Sequence, residues 1–136
     1  MIEDFQGRKV AVIGMARSGM AAAQVLTQRG ARVTLCDSRS ESELVAQIEQ
    51  AEEWGIDVVT NSELAPDGTE LLVTSPGVRK SASVLVDAQA RGIEIWSEIE
   101  AAYQISAAPI IAVTGTNGKT TTVALLGEIG KAAGYK

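Results

Sequence analysis

Short apolar runs alternate with helix-like stretches along this sequence, and the alternation constrains the fold more than any other feature. The apolar runs are rich in Val, Ile and Leu, as in strands that are covered on both faces of a sheet. Strands that alternate with helices predict an α/β protein with a doubly wound parallel sheet. The predicted strands are residues 9–13, 32–36, 56–60, 71–74 and 93–96, and the predicted helices between them are residues 18–29, 41–54 and 82–91.

Capping patterns and one turn signal refine these boundaries. Ser40 and Ser97 are each followed three residues later by Glu, which is the spacing of a capping box. We therefore expect Ser40 to be the N-cap of the second helix and Ser97 to begin a further helix that ends near residue 104. The connection at residues 61–70 contains Pro-Asp-Gly, which predicts a turn rather than a full helix.

A second structural unit is predicted in the last 40 residues or so of the chain. Residues 110–113 are apolar and predict a sixth strand, and a glycine loop and a helix at about 119–132 follow. One strand and one helix cannot bury their own apolar faces, so we expect the sequence to end just inside a second domain. We therefore predict one domain at residues 1–96, and a linker helix with the start of a truncated second domain at residues 97–136.

The apolar side chains of this second unit need cover. Burying each of them is worth roughly 1.5–3 kcal/mol, and an unpaired strand edge favours association. The unit can be disordered, fold back onto the first domain or pair with a second copy; of these, we expect self-association. The side chains concerned are Ile110, Ile111, Val113, Leu125, Leu126 and Ile129.

Composition excludes several classes of function. The chain has 12 Lys and Arg against 17 Asp and Glu, a formal net charge of −5, so we expect no nucleic-acid partner. It has no histidine, which excludes His-dependent triads and His-ligated metals within these residues. The lone Cys36 lies in an apolar run and is expected to be an inert core thiol. No apolar run approaches the roughly 20 residues of a membrane span, and the N-terminus is acidic, unlike a signal peptide. We therefore expect a cytoplasmic protein without membrane insertion.

A glycine-rich loop follows the first predicted strand. It matches the dinucleotide pattern G-x-G-x-x-G at Gly14 and Gly19, but Ala16 replaces the middle glycine, which approaches a pyrophosphate most closely. Asp37 lies 18 residues after Gly19, close to the offset at which an acid meets a ribose hydroxyl. The loop therefore predicts a nucleotide-type ligand; the alternative is a turn that only packs a helix on a sheet.

A second glycine loop ends in Gly118, Lys119 and Thr120, and it begins the last predicted helix. Backbone N–H groups at a helix N-terminus attract phosphate oxygens. In such a loop the lysine places a charge at the β- and γ-phosphates, and the threonine offers a hydroxyl to Mg²⁺. Val113 stands where the full Walker pattern has its first glycine. The loop predicts an ATP site that uses Mg²⁺.

A third loop, S-P-G at residues 75–77, follows the fourth predicted strand. In a parallel sheet it lies at the same carboxyl edge as the loop at 14–19 and the D-S-R run at 37–39. Ligands bind at this edge in open α/β sheets, so three loops on one edge favour a binding site; the alternative for the Pro-Gly pair is turn chemistry alone.

The motif T-G-T-N-G-K-T at residues 114–120 is the ATP-loop signature of the Mur ligase family, which folylpolyglutamate synthetases share. The Rossmann-like part before it, with G-x-x-x-S-G at 14–19, D-S-R at 37–39 and S-P-G at 75–77, resembles the members of that family that add D-glutamate. The resemblance runs the whole length of this chain. It covers only the N-terminal domain of such a ligase and the start of its central ATPase domain.

The resemblance implies an ATP-dependent amide ligase of peptidoglycan synthesis, which adds D-glutamate to UDP-N-acetylmuramoyl-L-alanine through an acyl phosphate. It implies ATP and Mg²⁺ as cofactors and Lys119 and Thr120 as catalytic residues, with Thr120 as a Mg²⁺ ligand. The other Mg²⁺ ligands, the adenine pocket and the D-glutamate site lie later in such enzymes, so we expect residues 1–136 alone to be inactive. By the same resemblance, the ATP phosphates are held by Gly115, Thr116, Asn117, Gly118, Lys119, Thr120 and Thr121, and the UDP-sugar by Arg17, Ser18, Asp37, Ser38, Arg39 and Gly77.

Four other functions remain open at this point. Another Mur-family ligase would share the ATP loop, and the preceding Rossmann-like domain separates the members of the family. A folylpolyglutamate synthetase would share the ATP loop but lack a preceding UDP-binding domain. An NAD-dependent dehydrogenase would explain the first glycine loop and Asp37, but it would leave the Gly-Lys-Thr loop unexplained. A stand-alone UDP-sugar-binding module would describe what this chain does by itself.

Overall fold

The computed structural model describes residues 4–135 and is built on a five-stranded parallel sheet with the strand order β3-β2-β1-β4-β5. This confirms the predicted Rossmann-like α/β class. The strands are β1 Lys9–Ile13, β2 Arg32–Cys36, β3 Asp57–Val59, β4 Leu71–Thr74 and β5 Glu94–Ser97, and the helices are α1 Arg17–Gln28, α2 Val45–Glu53, α3 Ser83–Ala90, α4 Glu98–Ile105 and α5 Lys119–Ala132.

The register of the sheet brings the carboxyl ends of its strands to one level. Ile13 at the end of β1 pairs with Cys36 of β2 and with Thr74 of β4, and Cys36 pairs in turn with Val59 of β3. The loops after these four strands therefore meet along one edge, as the sequence predicts for the first, second and fourth of them.

Successive side chains of each strand point to opposite faces of the sheet, and each face carries its own apolar cluster. Both faces are therefore covered, as in a parallel sheet. Helices α1, α2 and α4 cover one face, and α3 covers the other together with the buried Ala65 of the loop between β3 and β4. Fully buried side chains include Val12, Leu35 and Leu71 on the first face and Leu72 on the second.

The predicted helix at 41–54 is interrupted near its start, and in this respect the prediction is wrong. Ser40 donates from its backbone N–H and its Oγ to the Glu43 carboxylate, at 3.0 and 2.7 Å, but it caps only a 3₁₀ turn at Glu41–Glu43. Leu44 follows with a φ of −123° and a fully buried side chain. The chain leaves the helical conformation there to bury Leu44, so α2 begins one residue later.

The predicted sixth strand at residues 110–113 is not formed. A strand needs a neighbour for its backbone hydrogen bonds, and within the described residues none lies beside this segment. Ile110 and Ile111 are 56% and 72% exposed. Helix α5 forms with the predicted bounds but buries none of its residues, so it does not fold back onto the first domain's core. Self-association remains a prediction.

Helix α4 packs against the same core as α1. Ser97 caps it as predicted, because its Oγ accepts a hydrogen bond from the N–H of Glu100 at 3.1 Å. Ala101 is 2% exposed, and Ile105 packs against the core cluster. At the end of α4, the Ile105 carbonyl accepts a hydrogen bond from Nη2 of Arg29 at 3.2 Å. The domain division at residue 96 remains a prediction. No helix between residues 4 and 135 is long and apolar enough to cross a membrane.

Candidate functional site

A cavity of about 680 Å³ opens at the carboxyl edge of the sheet. This volume lies within the range that small-molecule ligands occupy. The loops after β1, β2, β3 and β4 line it together with the first residues of α3. The lining side chains and backbone include those of Gly14, Ala16, Ser18, Asp37, Ser38, Arg39, Ser62, Glu63, Ser75, Gly77, Arg79, Ser81 and Ser83.

Two glycines, one in the first loop and one in the first turn of α1, let the chain turn tightly here. Gly14 has a φ of +97°, and a Cβ there would lie 3.3 Å from Ser75. A Cβ on Gly19 would overlap the carbonyl oxygen of Gly14 and come within 2.9 Å of the Ser75 Oγ. These contacts bring the start of α1 against the sheet edge, as the glycine pattern predicts. The Oγ of Ser75 is buried with no hydrogen-bond partner in the described part of the chain.

Asp37, at the end of β2, connects the first and second loops. Its Oδ2 accepts from the Met15 N–H and from Nη2 of Arg39, each at 2.8 Å. Its Oδ1 accepts from the N–H and the Nε of Arg39, each at 3.0 Å. A carboxylate has about four lone-pair sites, so all of those on Asp37 are already used by the protein.

These hydrogen bonds determine the charge of Asp37, which is only 6% exposed. Burial alone would raise the pKa of the carboxyl group. The hydrogen bonds from Arg39 and Met15 and the positive charge of Arg39 outweigh burial and lower the pKa to about 2. The same ion pair raises the pKa of the Arg39 guanidinium. Asp37 is therefore an anion at every physiological pH, and Arg39 is held in place by it.

The remaining predicted UDP-sugar residues divide into two groups. Ser18, Ser38, Arg39 and Gly77 line the cavity with Asp37. Arg17 is exposed and lies outside that lining. No atom lies within 4 Å of where a Cβ on Gly77 would sit, so the fold itself does not require glycine there. The assignment of these residues to a UDP-sugar stays a prediction.

Cys36 lies on the floor of the cavity, and its side chain is buried as predicted. Burial raises the pKa of its thiol to about 11, although a hydrogen bond with Ser62 acts in the opposite direction. The thiol is therefore protonated at neutral pH and is a poor nucleophile.

Sequence reasoning missed several residues of this cavity. Ser62 and Glu63 come from the loop after β3, and Arg79, Ser81 and Ser83 come from the segment between β4 and α3. The third predicted strand offers a signal for the first two of these residues. Because all strands of a parallel sheet have their carboxyl ends at the same edge, the loop after this strand is expected at that edge as well.

The second glycine loop lies outside the cavity lining. Gly118 adopts a φ of +77° and begins α5, as the glycine loop predicts. The ammonium of Lys119 donates to the carbonyl of Gly115, and Thr122 donates to the carbonyl of Gly118 at 3.0 Å. Thr120 is exposed. Across residues 4–135, no group of three or more His, Cys, Asp or Glu side chains is arranged to hold a metal ion.

The chain is similar to known proteins in sequence and in fold. Residues 8–97 match the family model described as Mur ligase MurD-like, N-terminal domain. Two curated relatives are each named UDP-N-acetylmuramoylalanine--D-glutamate ligase. The one from Shouchella clausii is 43% identical over 137 residues, covering 99% of this chain and 30% of its own length. The one from Geotalea daltonii is 44% identical over 139 residues, covering 98% and 30%. The chain thus spans about 30% of the length of these relatives.

A solved structure shows the same fold at lower identity. It is the UDP-N-acetylmuramate:L-alanyl-gamma-D-glutamyl-meso-diaminopimelate ligase from Neisseria meningitides, with a TM-score of 0.64 and 21% identity. The match covers 94% of this chain and 40% of that one.

Proposed function

Because the chain belongs to the Mur ligase family through its MurD-like N-terminal domain, we propose that it carries the UDP-sugar site of an ATP-dependent ligase. That ligase adds D-glutamate to UDP-N-acetylmuramoyl-L-alanine in the cytoplasm. The proposal rests on the occurrence of two features in one chain: a nucleotide-sized cavity and a Gly-Lys-Thr sequence at the start of a helix. Over 99% of its length, this chain is 43% identical to a protein named for this reaction.

The cavity suits a nucleoside diphosphate. The N-terminus of α1 lies at its edge, where unpaired backbone N–H groups and the helix dipole attract phosphate. Ser18 and Ser38 add hydroxyl groups, and Arg39 uses only two of its guanidinium nitrogens on Asp37. The Ser75 hydroxyl also lines the cavity and is buried without a partner among the described residues, so a ligand that supplies a hydrogen bond removes the cost of an unpaired buried polar group.

In the proposed reaction, a carboxylate oxygen of UDP-N-acetylmuramoyl-L-alanine attacks the γ-phosphorus of ATP. ADP leaves and an acyl phosphate forms. The amine of D-glutamate then attacks the acyl carbon and loses a proton, and inorganic phosphate leaves. Lys119 stabilises the negative charge on the transferred phosphoryl group. For this role its ammonium exchanges the Gly115 carbonyl for phosphate oxygens.

The second glycine loop offers one protein ligand for Mg²⁺. The Thr120 hydroxyl is exposed in the first turn of α5, and no described residue hydrogen-bonds to it, so it is available as an oxygen ligand. When bound, the ion neutralises phosphate charge. Its other protein ligands would come from outside this chain.

Isothermal titration of the chain with UDP, UDP-N-acetylmuramoyl-L-alanine, NAD and ATP tests the proposal. We expect both UDP ligands to bind and NAD not to bind. Binding of NAD without binding of UDP would favour a dehydrogenase and contradict the proposal.

The ATP loop is tested in the full-length ligase. Lys119→Ala should lower turnover by a factor on the order of 10²–10³, because one preorganised charge-stabilising group is lost. The affinity for the UDP-sugar should not change, since Lys119 lies outside the cavity. Lys131→Ala is the matched control, because Lys131 is an exposed lysine in the last turn of the same helix. Near-wild-type turnover in Lys119→Ala would show that the loop is only structural.

A further inference from the structure

Four charged side chains line the cavity, two of them carboxylates and two of them guanidinium groups. They are Asp37, Arg39, Glu63 and Arg79. Oδ2 of Asp37 and Nη2 of Arg39 lie 2.8 Å apart, so the charges of these two side chains largely cancel beyond their immediate surroundings. The net charge of the lining therefore depends on the carboxylate of Glu63 and the guanidinium of Arg79.

Arg79 lies in the segment between β4 and α3, where two consecutive turns fix the backbone. The N–H of Val78 donates to the carbonyl of Ser75 at 3.1 Å, and the N–H of Ala82 donates to the carbonyl of Arg79 at 2.9 Å. A methyl group of Val78 lies 3.5 Å from where a Cβ on Gly14 would sit. Arg79 therefore directly follows a residue that packs on the first glycine loop.

The side chain of Arg79 has no partner in the part of the chain that the structure describes. Arg79 is exposed, and neither a hydrogen bond nor an ion pair of its guanidinium occurs within residues 4–135. The guanidinium of arginine stays charged in proteins and carries five N–H donors. Both the charge and the donors of Arg79 are therefore available to a ligand in the cavity.

The start of α3 acts in the same direction as Arg79. Ala82, the N-cap of this helix, forms no side-chain hydrogen bond with it, and the first turn contains no acidic residue. Ser83 and Val84 of this turn line the cavity. The unpaired N–H groups and the helix dipole place a partial positive charge at a helix N-terminus. The helix start and the guanidinium thus both favour an anion in this cavity.

An anionic ligand needs such a local charge, because the chain as a whole has a net charge of −5. Without Arg79, the lining would hold two carboxylates against one guanidinium, a net charge of 1 − 2 = −1. A cleft lined by charge of one sign attracts ligands of the opposite sign and repels those of its own. On the basis of the proposed function, we propose that Arg79 supplies the positive charge with which the cavity attracts the anionic UDP ligand.

Titration of the chain with UDP at about 0.1 M salt tests this role. We expect Arg79→Gln to weaken UDP binding about fivefold, the upper effect of one exposed ion pair. Arg79→Glu changes the charge by twice as much and should weaken binding about 25-fold, whereas Arg79→Lys keeps the charge and should bind almost as tightly as wild type. If Arg79→Lys loses as much affinity as Arg79→Gln, or Arg79→Glu loses no more than Arg79→Gln, the charge is not the cause and the inference is wrong.

Salt separates attraction between charges from a contact with an uncharged group of the ligand. The Debye length falls from about 10 Å at 0.1 M salt to about 3 Å at 1 M salt. The difference in UDP affinity between wild type and Arg79→Gln should therefore be much smaller at the higher concentration. A difference that is the same at both concentrations would overturn the inference.

Lys80→Gln is the matched control for Arg79→Gln. Lys80 is the next residue and is also exposed, but it lies outside the cavity lining. Its replacement removes the same charge from the chain and should leave the UDP affinity almost unchanged. An equal loss in Lys80→Gln would assign the effect to the net charge of the chain and would contradict the role of Arg79. If wild type itself does not bind UDP, the proposed function fails; if it binds UDP and both Arg79→Gln and Arg79→Glu bind equally well, only this inference fails.

Discussion

Replacing Asp37 with Asn tests how much one buried charge contributes to the free energy of unfolding. The change removes a negative charge that accepts four hydrogen bonds from Met15 and Arg39. The lowering of its pKa from 3.8 to about 2 corresponds to about 2 kcal/mol of stability at neutral pH. In addition, the amide NH₂ of Asn faces one of these donors, and an unsatisfied buried donor costs about 1–3 kcal/mol. Because the two effects overlap, we expect Asp37→Asn to lower the free energy of unfolding by about 2–4 kcal/mol.

The pH dependence of this loss follows from the direction of the pKa shift. The pKa of Asp37 is lower in the folded state, so the unfolded chain binds the proton more readily. The charge therefore stabilises the fold fully above the unfolded pKa of 3.8, and this stabilisation is lost as the pH falls towards 2. The difference in stability between wild type and Asp37→Asn should be largest near neutral pH and should narrow below about pH 4.

Urea unfolding measures this difference, with the fluorescence of the two tryptophans as the signal. Asp67→Asn is the control, because Asp67 is exposed in the turn between β3 and β4, and such surface changes usually stay within about 0.5 kcal/mol. If Asp37→Asn loses the same free energy from neutral pH down to about pH 2, the charge is not the cause and the reasoning fails.

Three further predictions concern packing, reactivity and association. Gly19→Ala should destabilise the protein by about 1–3 kcal/mol or more, because the new Cβ would overlap the Gly14 carbonyl oxygen. Gly77→Val should leave the stability unchanged and weaken UDP binding, so equal melting temperatures for the two variants would contradict this prediction. Cys36 should react with iodoacetamide near neutral pH far more slowly than after unfolding, because burial raises the pKa of its thiol to about 11; equal rates would refute its burial. Light scattering after size exclusion should show that residues 1–136 self-associate and that a version ending at Trp96 does not; a monomer at both lengths would contradict the pairing.

The sequence predicts those parts of the fold whose signals are local. The strands β1, β2 and β4 have the predicted bounds, because each is a short run rich in Val, Ile or Leu. The start of α2 was mispredicted, because the capping pattern at Ser40 is satisfied by a single turn before Leu44 enters the core. The sixth strand was mispredicted for a related reason: an apolar run becomes a strand only when a neighbour accepts its backbone hydrogen bonds.

The candidate site was predictable where a motif marks it and not elsewhere. The glycine loop and Asp37 have recognisable spacing, and the structure brings them to one cavity. The spacing could not show that the Arg39 guanidinium would form an ion pair with the Asp37 carboxylate, because this contact depends on the side-chain conformation of Arg39. Ser62 and Glu63 carry no motif, and only the backbone hydrogen bonds of their loop to residues 37–39 place them at the cavity.

The hydrogen bond between Arg29 and the end of α4 has a mechanical consequence. Helix α1 begins beside the cavity and runs for twelve residues, about 18 Å, to the point where Arg29 holds the Ile105 carbonyl. Helix α1 thus connects the glycine turn after β1 to the end of α4, where the connection starts. Residues 106–118 contain no helix or strand. The loop motif itself begins at residue 114, so any rotation of this loop relative to the cavity is taken up by backbone torsions in residues 106–113, and the length of this connection limits how far the loop can move.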